Sequence, residues 1–185
     1  MKIILVRHGE SEHNAGKTES KDSKLTKRGE IQARHLGGKL KKEKIKISEI
    51  YTSHLIRSKQ TAEIISKIIK VPVKKEFTEL NEYHEKFLKI PLIKYFNLRI
   101  GKLKKLLKKI TKDREKDKTI MIVAHGITNR IIIGHLLKIP IGKKLLRFVH
   151  HNVGLSTLRW NKKHKDWMLE SMNDVSHLPR RLKEY

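Results

Sequence analysis

The chain contains no cysteine, which excludes disulfide bonds and catalysis by a thiolate. Aromatic residues are scarce, at 5%, and no aromatic RNA-recognition signature, zinc spacing or helix-turn-helix pattern is present. Long apolar runs are missing as well. The N-terminal run Ile3–Val6 is stopped after four residues by Arg7 and His8, too early for a signal peptide. No other stretch approaches the roughly 20 apolar residues that span a bilayer. A cytoplasmic protein without membrane contact is therefore the expectation.

Acidic residues are also few. Nineteen stand against 44 lysines and arginines, a formal charge of +25. Such a field draws in anionic substrates and favours nonspecific contact with nucleic acid or anionic lipid. A basic nucleic-acid-binding protein without catalysis is thus one reading. The lysines are spread through most predicted helices rather than gathered in one motif. A purely compositional origin, as in lysine-rich heat-adapted surfaces, competes with any functional one.

At 185 residues the chain suits a single domain, 1–185, with enough material for a sizeable core. Its 37% hydrophobic residues are concentrated in short runs. Lys2–Val6 and Thr119–Ala124 read as buried strands, Ile47–Tyr51 as another and Val71–Val73 as an edge strand. Thr26 is the candidate N-cap of a first helix. Ser53 is the candidate cap of a second, running to about Lys70 with Ile64, Ile65, Ile68 and Ile69 on its apolar side. Leu103, Leu106, Leu107 and Ile110 have helical spacing, although Pro91 argues against one unbroken helix through 83–116. A helix Thr128–Leu137 follows His125-Gly126. Leu155–Trp160 and Trp167–Met172 read as a β-hairpin. This alternation predicts an α/β three-layer sandwich, a mainly parallel central sheet with helices on both faces.

Chemistry in such sheets collects at the carboxyl ends of the strands, which selects Arg7-His8-Gly9 and His125-Gly126. Two histidines at two strand ends could face each other across one pocket. A neutral imidazole can attack phosphorus and hold the phosphoryl group covalently. Phosphoryl transfer is otherwise mostly positioning and neutralisation of oxygens, a task for arginines.

Arg7-His8-Gly9-Glu10-Ser11 with Asn14 is followed by Leu25-Thr26, Gly29 and Gln32-Ala33, then by Ser53, Arg57 and Gln60-Thr61-Ala62. Leu80-Asn81-Glu82, Val123-Ala124-His125-Gly126, Asn152 with Gly154-Leu155-Ser156, and Asn173-Asp174 with His177-Leu178 complete the series. In this order the segments resemble the histidine phosphatase superfamily, the phosphoglycerate mutase-like proteins, and in particular its small phosphatases. The resemblance implies that His8 is the nucleophile. It places Arg7, Arg57, His125, Asn14 and Gly126 around the phosphoryl group, and makes Glu82 the proton donor. It implies no metal and no cofactor. Each position also has a plainer reading: Arg57 as a surface residue of a helix N-terminus, His125 as a core histidine, Glu79 or Glu85 in the place of Glu82. Among the other histidines, His150-His151 reads as a surface or supporting pair and His177 as structural in the tail.

The chain departs from the family after Glu82. No glycine follows before Gly101, and only 42 residues separate Glu82 from His125, which predicts a compact cap after residue 82. A compact cap admits water, so hydrolysis of small phosphorylated substrates (sugar phosphates or similar) or of a phosphoprotein is favoured over mutase chemistry. A cofactor-dependent phosphoglycerate mutase is the alternative.

Overall fold

The computed structural model describes residues 1–83, 93–141, 145 and 147–183, with backbone alone for 93–96. The residues from 84 to 92, on which the expected cap, Glu85 and Pro91 mostly fall, lie outside the described residues.

Six strands form one sheet: β1 (Lys2–Arg7), β2 (Glu49–Ser53), β3 (Val73–Phe77), β4 (Thr119–Ala124), β5 (Leu155–Asn161) and β6 (Asp166–Asp174). Their order is β3-β2-β4-β1-β5-β6. The first four of these are mutually parallel, while β5 runs antiparallel to both β1 and β6. The sheet is mainly parallel, with the expected hairpin closing one side.

Alternation along β1 and β4 sends side chains to opposite faces. Ile3, Leu5, Ile120 and Ile122 pack with Leu103 and Leu107 of α3 (Ile93–Ile110) and Ile131 and Ile132 of α4 (Gly126–Leu136). Ile4, Val6, Met121 and Val123 pack on the other face with Leu36 and Leu40 of α1 (Lys27–Lys42) and Ala62 and Ile65 of α2 (Ile56–Ile69). Burying a side chain of this size contributes about 1.5–3 kcal/mol, so the two apolar layers fix the register of the strands. The result is the three-layer α/β sandwich.

Helix α1 begins as expected. The Thr26 hydroxyl accepts the backbone N–H of Gly29 at 3.0 Å, Glu30 lies in the first turn, and lysines occupy the last. Both features suit the helix dipole. Three boundaries differ from expectation. The β2 ladder starts at Glu49 and reaches Ser53. Ser53 is therefore the last residue of the strand, and α2 starts at Ile56 without a local side-chain cap. Its first backbone N–H is satisfied instead by Asp22 Oδ1, at 2.7 Å. The edge strand is Val73–Phe77 rather than Val71–Val73, because the ladder to β2 begins only after Pro72.

Candidate active site

The parallel register sets the site. Arg7 pairs with Ala124 and Thr52 with Val123, so β1, β2 and β4 end level with one another. His8, Ser53 and His125 leave the sheet side by side. The two imidazole centroids are 5.0 Å apart, and both rings are buried.

His8 has its backbone held on three sides. Its N–H donates to Ala124 O at 2.9 Å, and its carbonyl accepts from Asn152 Nδ2 at 2.8 Å. Gly9 N–H donates to Thr61 Oγ1 at 3.0 Å. In the ring, Nδ1 lies 2.7 Å from Gly9 O. A carbonyl can only accept, so Nδ1 carries the proton. The Nε2 lone pair of the neutral ring then accepts from Arg57 Nε, at 3.0 Å. Burial, followed by His125, Arg57 and Arg7, holds the His8 pKa well below its ordinary value. The ring is therefore neutral, with its nucleophilic lone pair on Nε2 beside a guanidinium.

Arg57 is itself buried in the first turn of α2, and its Nη1 donates to Lys21 O at 2.5 Å. Arg7 Nη1 donates to His150 O at 2.8 Å. His125 Nε2 is 2.7 Å from Ser53 Oγ, while its buried Nδ1 has no partner among the described residues. Burial, then Arg57 and Arg7, pushes its pKa well down too.

Glu82 follows a short 3-10 turn, Thr78–Leu80. Its Oε1 accepts from Tyr83 N at 3.1 Å, Thr128 Oγ1 at 3.3 Å and Thr128 N at 3.4 Å. Arg99 from α3 donates to the carbonyls of both Asn81 and Glu82, at 3.2 and 3.3 Å, and stacks on Tyr83. Burial raises the Glu82 pKa; Arg57, the Thr128 and Tyr83 amides and Arg7 oppose it without cancelling it. Glu82 and Arg57 both line one cleft of about 420 Å³. The arrangement combines a nucleophilic nitrogen, fixed cations and a carboxyl biased towards its acid form.

The structure thus brings Arg7, His8, Arg57 and His125 together and lines the adjoining cleft with Glu82. Gly126 opens α4 beside Arg7, with room for a Cβ at 3.7 Å. Asn14 is exposed, and its Oδ1 is turned back onto Ser11 N and Oγ, at 3.4 and 3.0 Å. No described hydrogen bond joins it to the histidines. Glu79 lines the same cleft but makes none of the contacts that hold Glu82. Of the two readings of His150, surface or supporting, the second holds: it is buried and supports Arg7 through its carbonyl. Ser53, Thr61, Arg99, Thr128 and Asn152 were not singled out for these roles. The Ser53 and Thr61 motif positions and the asparagine before Gly154 were visible, but the partners of Arg99 and Thr128 left no sequence signal. Among the described residues, no group of three or more His, Asp or Glu side chains is placed to hold a metal ion. No described helix is long and apolar enough to cross a membrane.

Comparison with known proteins points to one family and one fold. The chain is 29% identical to a probable phosphoglycerate mutase of Photorhabdus laumondii, over 96% of this chain and 95% of that one. It matches a 2,3-bisphosphoglycerate-dependent phosphoglycerate mutase of Hamiltonella defensa at 38% identity, but over only 45% of this chain and 35% of the relative. A phosphoserine phosphatase of Entamoeba histolytica, solved with 3-phosphoglyceric acid, superposes with a TM-score of 0.72 at 25% identity, covering 96% of this chain and 99% of the other. The α-ribazole phosphatase of Shigella flexneri, at 21% identity, shares the fold with a TM-score of 0.75 over 94% and 96% of the two chains. The profile of the histidine phosphatase superfamily (branch 1) matches residues 3–86 and 100–175, omitting only the middle stretch that follows Glu82 and the two ends. The chain belongs to the histidine phosphatase superfamily.

Proposed function

We propose that the protein is a phosphatase that hydrolyses small phosphomonoesters through a phosphohistidine on His8, without a metal or other cofactor. The observation that carries this reading is the His8 ring: buried, neutral, protonated on Nδ1, with Nε2 facing Arg57. Substrate phosphate draws the Arg57 guanidinium onto its oxygens and frees the Nε2 lone pair. Nε2 attacks phosphorus, the bond to the ester oxygen breaks, and Glu82 gives its proton to the departing alcohol. Arg7, Arg57 and His125 take the charge of the transferring oxygens, and Asn14 joins them by turning away from Ser11. Water then attacks the phosphohistidine while the Glu82 carboxylate takes its proton. The N–P bond breaks, its electron pair returns to Nε2, and inorganic phosphate leaves.

The mutase reading shares the first half of this cycle and replaces water by a second alcohol. Full-length similarity to a probable phosphoglycerate mutase supports it. The 42 residues between Glu82 and His125 leave little chain to exclude water, which favours hydrolysis. The test is turnover of p-nitrophenyl phosphate in excess EDTA by wild type and His8→Ala. We expect activity that survives the chelator and is lost in the variant by at least about three orders of magnitude. Equal activity in His8→Ala removes the covalent mechanism.

A further inference from the structure

Positive charge is not spread evenly over the helices of this chain. From Asn97 to Lys112 there are six lysines and one arginine but no Asp or Glu, a charge of +7 in 16 residues out of the +25 carried by 185. Helix α1 is different: Glu30 lies among its cations, and Lys39 reaches both Glu43 and Asp174. Lys59, Lys74 and Lys118 also reach carboxylates. Lys102, Lys104, Lys105, Lys108, Lys109 and Lys112 are all exposed, and none of them has an ion pair among the described residues.

These lysines form one face. At 3.6 residues per turn, the five from Lys102 to Lys109 fall within about 160° of the α3 surface. The opposite side buries Ile100, Leu103, Leu107 and Ile110 in the core. Residues four apart are neighbours on a helix, so Lys104 repels Lys108 and Lys105 repels Lys109. Leu98 lies in the same arc, one turn before Lys102. At 59% exposure it is the most exposed large apolar side chain among the described residues, and in water it gains nothing there. Past the helix, Lys108 shares a groove with Lys165 from the turn of the β5–β6 hairpin, where Asp166 is already taken by Lys138 at 2.6 Å.

We propose that this face of α3 docks the protein on an anionic lipid bilayer, with acidic headgroups meeting the lysines and Leu98 entering beneath them. Lysine clusters of this size on a helix suit acidic headgroups, each lysine being worth roughly fivefold in partition. Nucleic acid fits less well. Among its described side chains the face offers no aromatic ring to stack on a base. It offers no guanidinium fork for a phosphate either, since Arg99 is turned onto the carbonyls of Asn81 and Glu82. Leu98 has no counterpart on a phosphodiester backbone. The lack of a spanning run, from which no membrane contact was expected, bears on insertion and not on adsorption at the surface. Lys102 also lines the cleft that holds Arg57 and Glu82, so docking sets the mouth of the candidate site against the bilayer.

The test is cosedimentation of the full chain with phosphatidylcholine vesicles, with or without about 30% phosphatidylserine. We expect binding to the anionic vesicles alone, weakening as salt is added. Lys105→Glu with Lys109→Glu should lower the partition coefficient by at least about tenfold, and Leu98→Ser by about threefold. Lys41→Glu with Lys42→Glu, at exposed positions of α1, changes the net charge equally and should cost about threefold or less. An equal loss in the two pairs would credit the overall charge rather than this face, and overturns the proposal. Equal binding to both kinds of vesicle, or binding to neither, also overturns it. Tighter binding to random duplex DNA at the same salt, abolished by the α3 reversal, assigns the face to nucleic acid instead. Emission of the Trp160–Trp167 pair reports whether the variants fold. Should the reversal disturb it, Lys105→Gln with Lys109→Gln must still weaken anionic binding, and unchanged binding there overturns the proposal.

Discussion

Glu82 sits where two influences oppose each other. Burial favours its neutral form, and the Arg57 charge with the amides of Thr128 and Tyr83 favours its ionised one; burial prevails. His8 is biased in the other sense, kept unprotonated well into the acid range. The active combination, neutral imidazole with protonated carboxyl, therefore exists between a low His8 value and a raised Glu82 value. Activity should rise at low pH as His8 loses its proton and fall at higher pH as Glu82 loses its own. In Glu82→Gln the descending limb should disappear. The rate should drop by about 100- to 10,000-fold for alkyl phosphates and far less for p-nitrophenyl phosphate, whose leaving group needs no proton. Equal slowing of both esters would remove Glu82 from the role of acid.

Elements, rather than residues, decide how closely the loop that bears His8 is held. The first turn of α1 is pressed onto the loop: a Cβ on Gly29 would lie 2.0 Å from Glu10 O, and one on Gly9 would lie 2.5 Å from Gly29 O. Both obstacles are backbone and cannot rotate aside. Gly29→Ala should cost about 1–3 kcal/mol in urea unfolding and reduce kcat as the loop retreats from Arg57. Gly38→Ala, exposed on the same helix with open space around it, should instead gain about 0.5–1 kcal/mol. Equal effects at the two positions would mean that the close approach is unimportant.

The same scale explains what could be read from the chain in advance. β1, β4, the hairpin and the Thr26 cap follow from local pattern, because apolar runs and a capping hydroxyl act on their immediate neighbours. The start of α2 does not. Ser53 has the right chemistry for a cap, but its hydroxyl is taken by His125 from β4. The helix is capped by Asp22, 34 residues upstream. Arg7, His8, Arg57, Glu82 and His125 were legible from their motifs. Thr128 and Arg99 were not, since their value lies in contacts made 46 and 17 residues away. The buried state of His150 likewise depends on Arg7 and Ser156, which no local pattern links to it.

Taken whole, the molecule combines an excess of 25 positive charges with a core that encloses neutral histidines. His8, His125 and His150 are all buried, and burial pushes their pKa values below the ordinary 6.5, His150 to about 3. At pH above 6.5 these rings are neutral folded or unfolded and contribute nothing. Below 6.5 the unfolded chain binds their protons and the folded one does not, so each removes about 1.4 kcal/mol of stability per pH unit until its folded value is reached. Protonation of carboxylates adds to the self-repulsion of the surface. Fluorescence of the packed Trp160–Trp167 pair should report unfolding that begins below pH 6.5 and moves to lower pH in high salt. A flat profile down to pH 4 would contradict the buried neutral rings.

One connection spans nearly the whole chain. Gln32 accepts the N–H of Glu10 and passes its own amide to Leu182 O, and Arg28 ties Glu10 to the carbonyls of Arg181 and Lys183. The loop that bears His8 is thus braced by residues about 150 positions downstream of the helix that supports it. Cleavage ahead of Arg181 would therefore leave the strands paired and the helices docked while releasing the loop that bears His8, so damage far away in sequence would be felt at the candidate site.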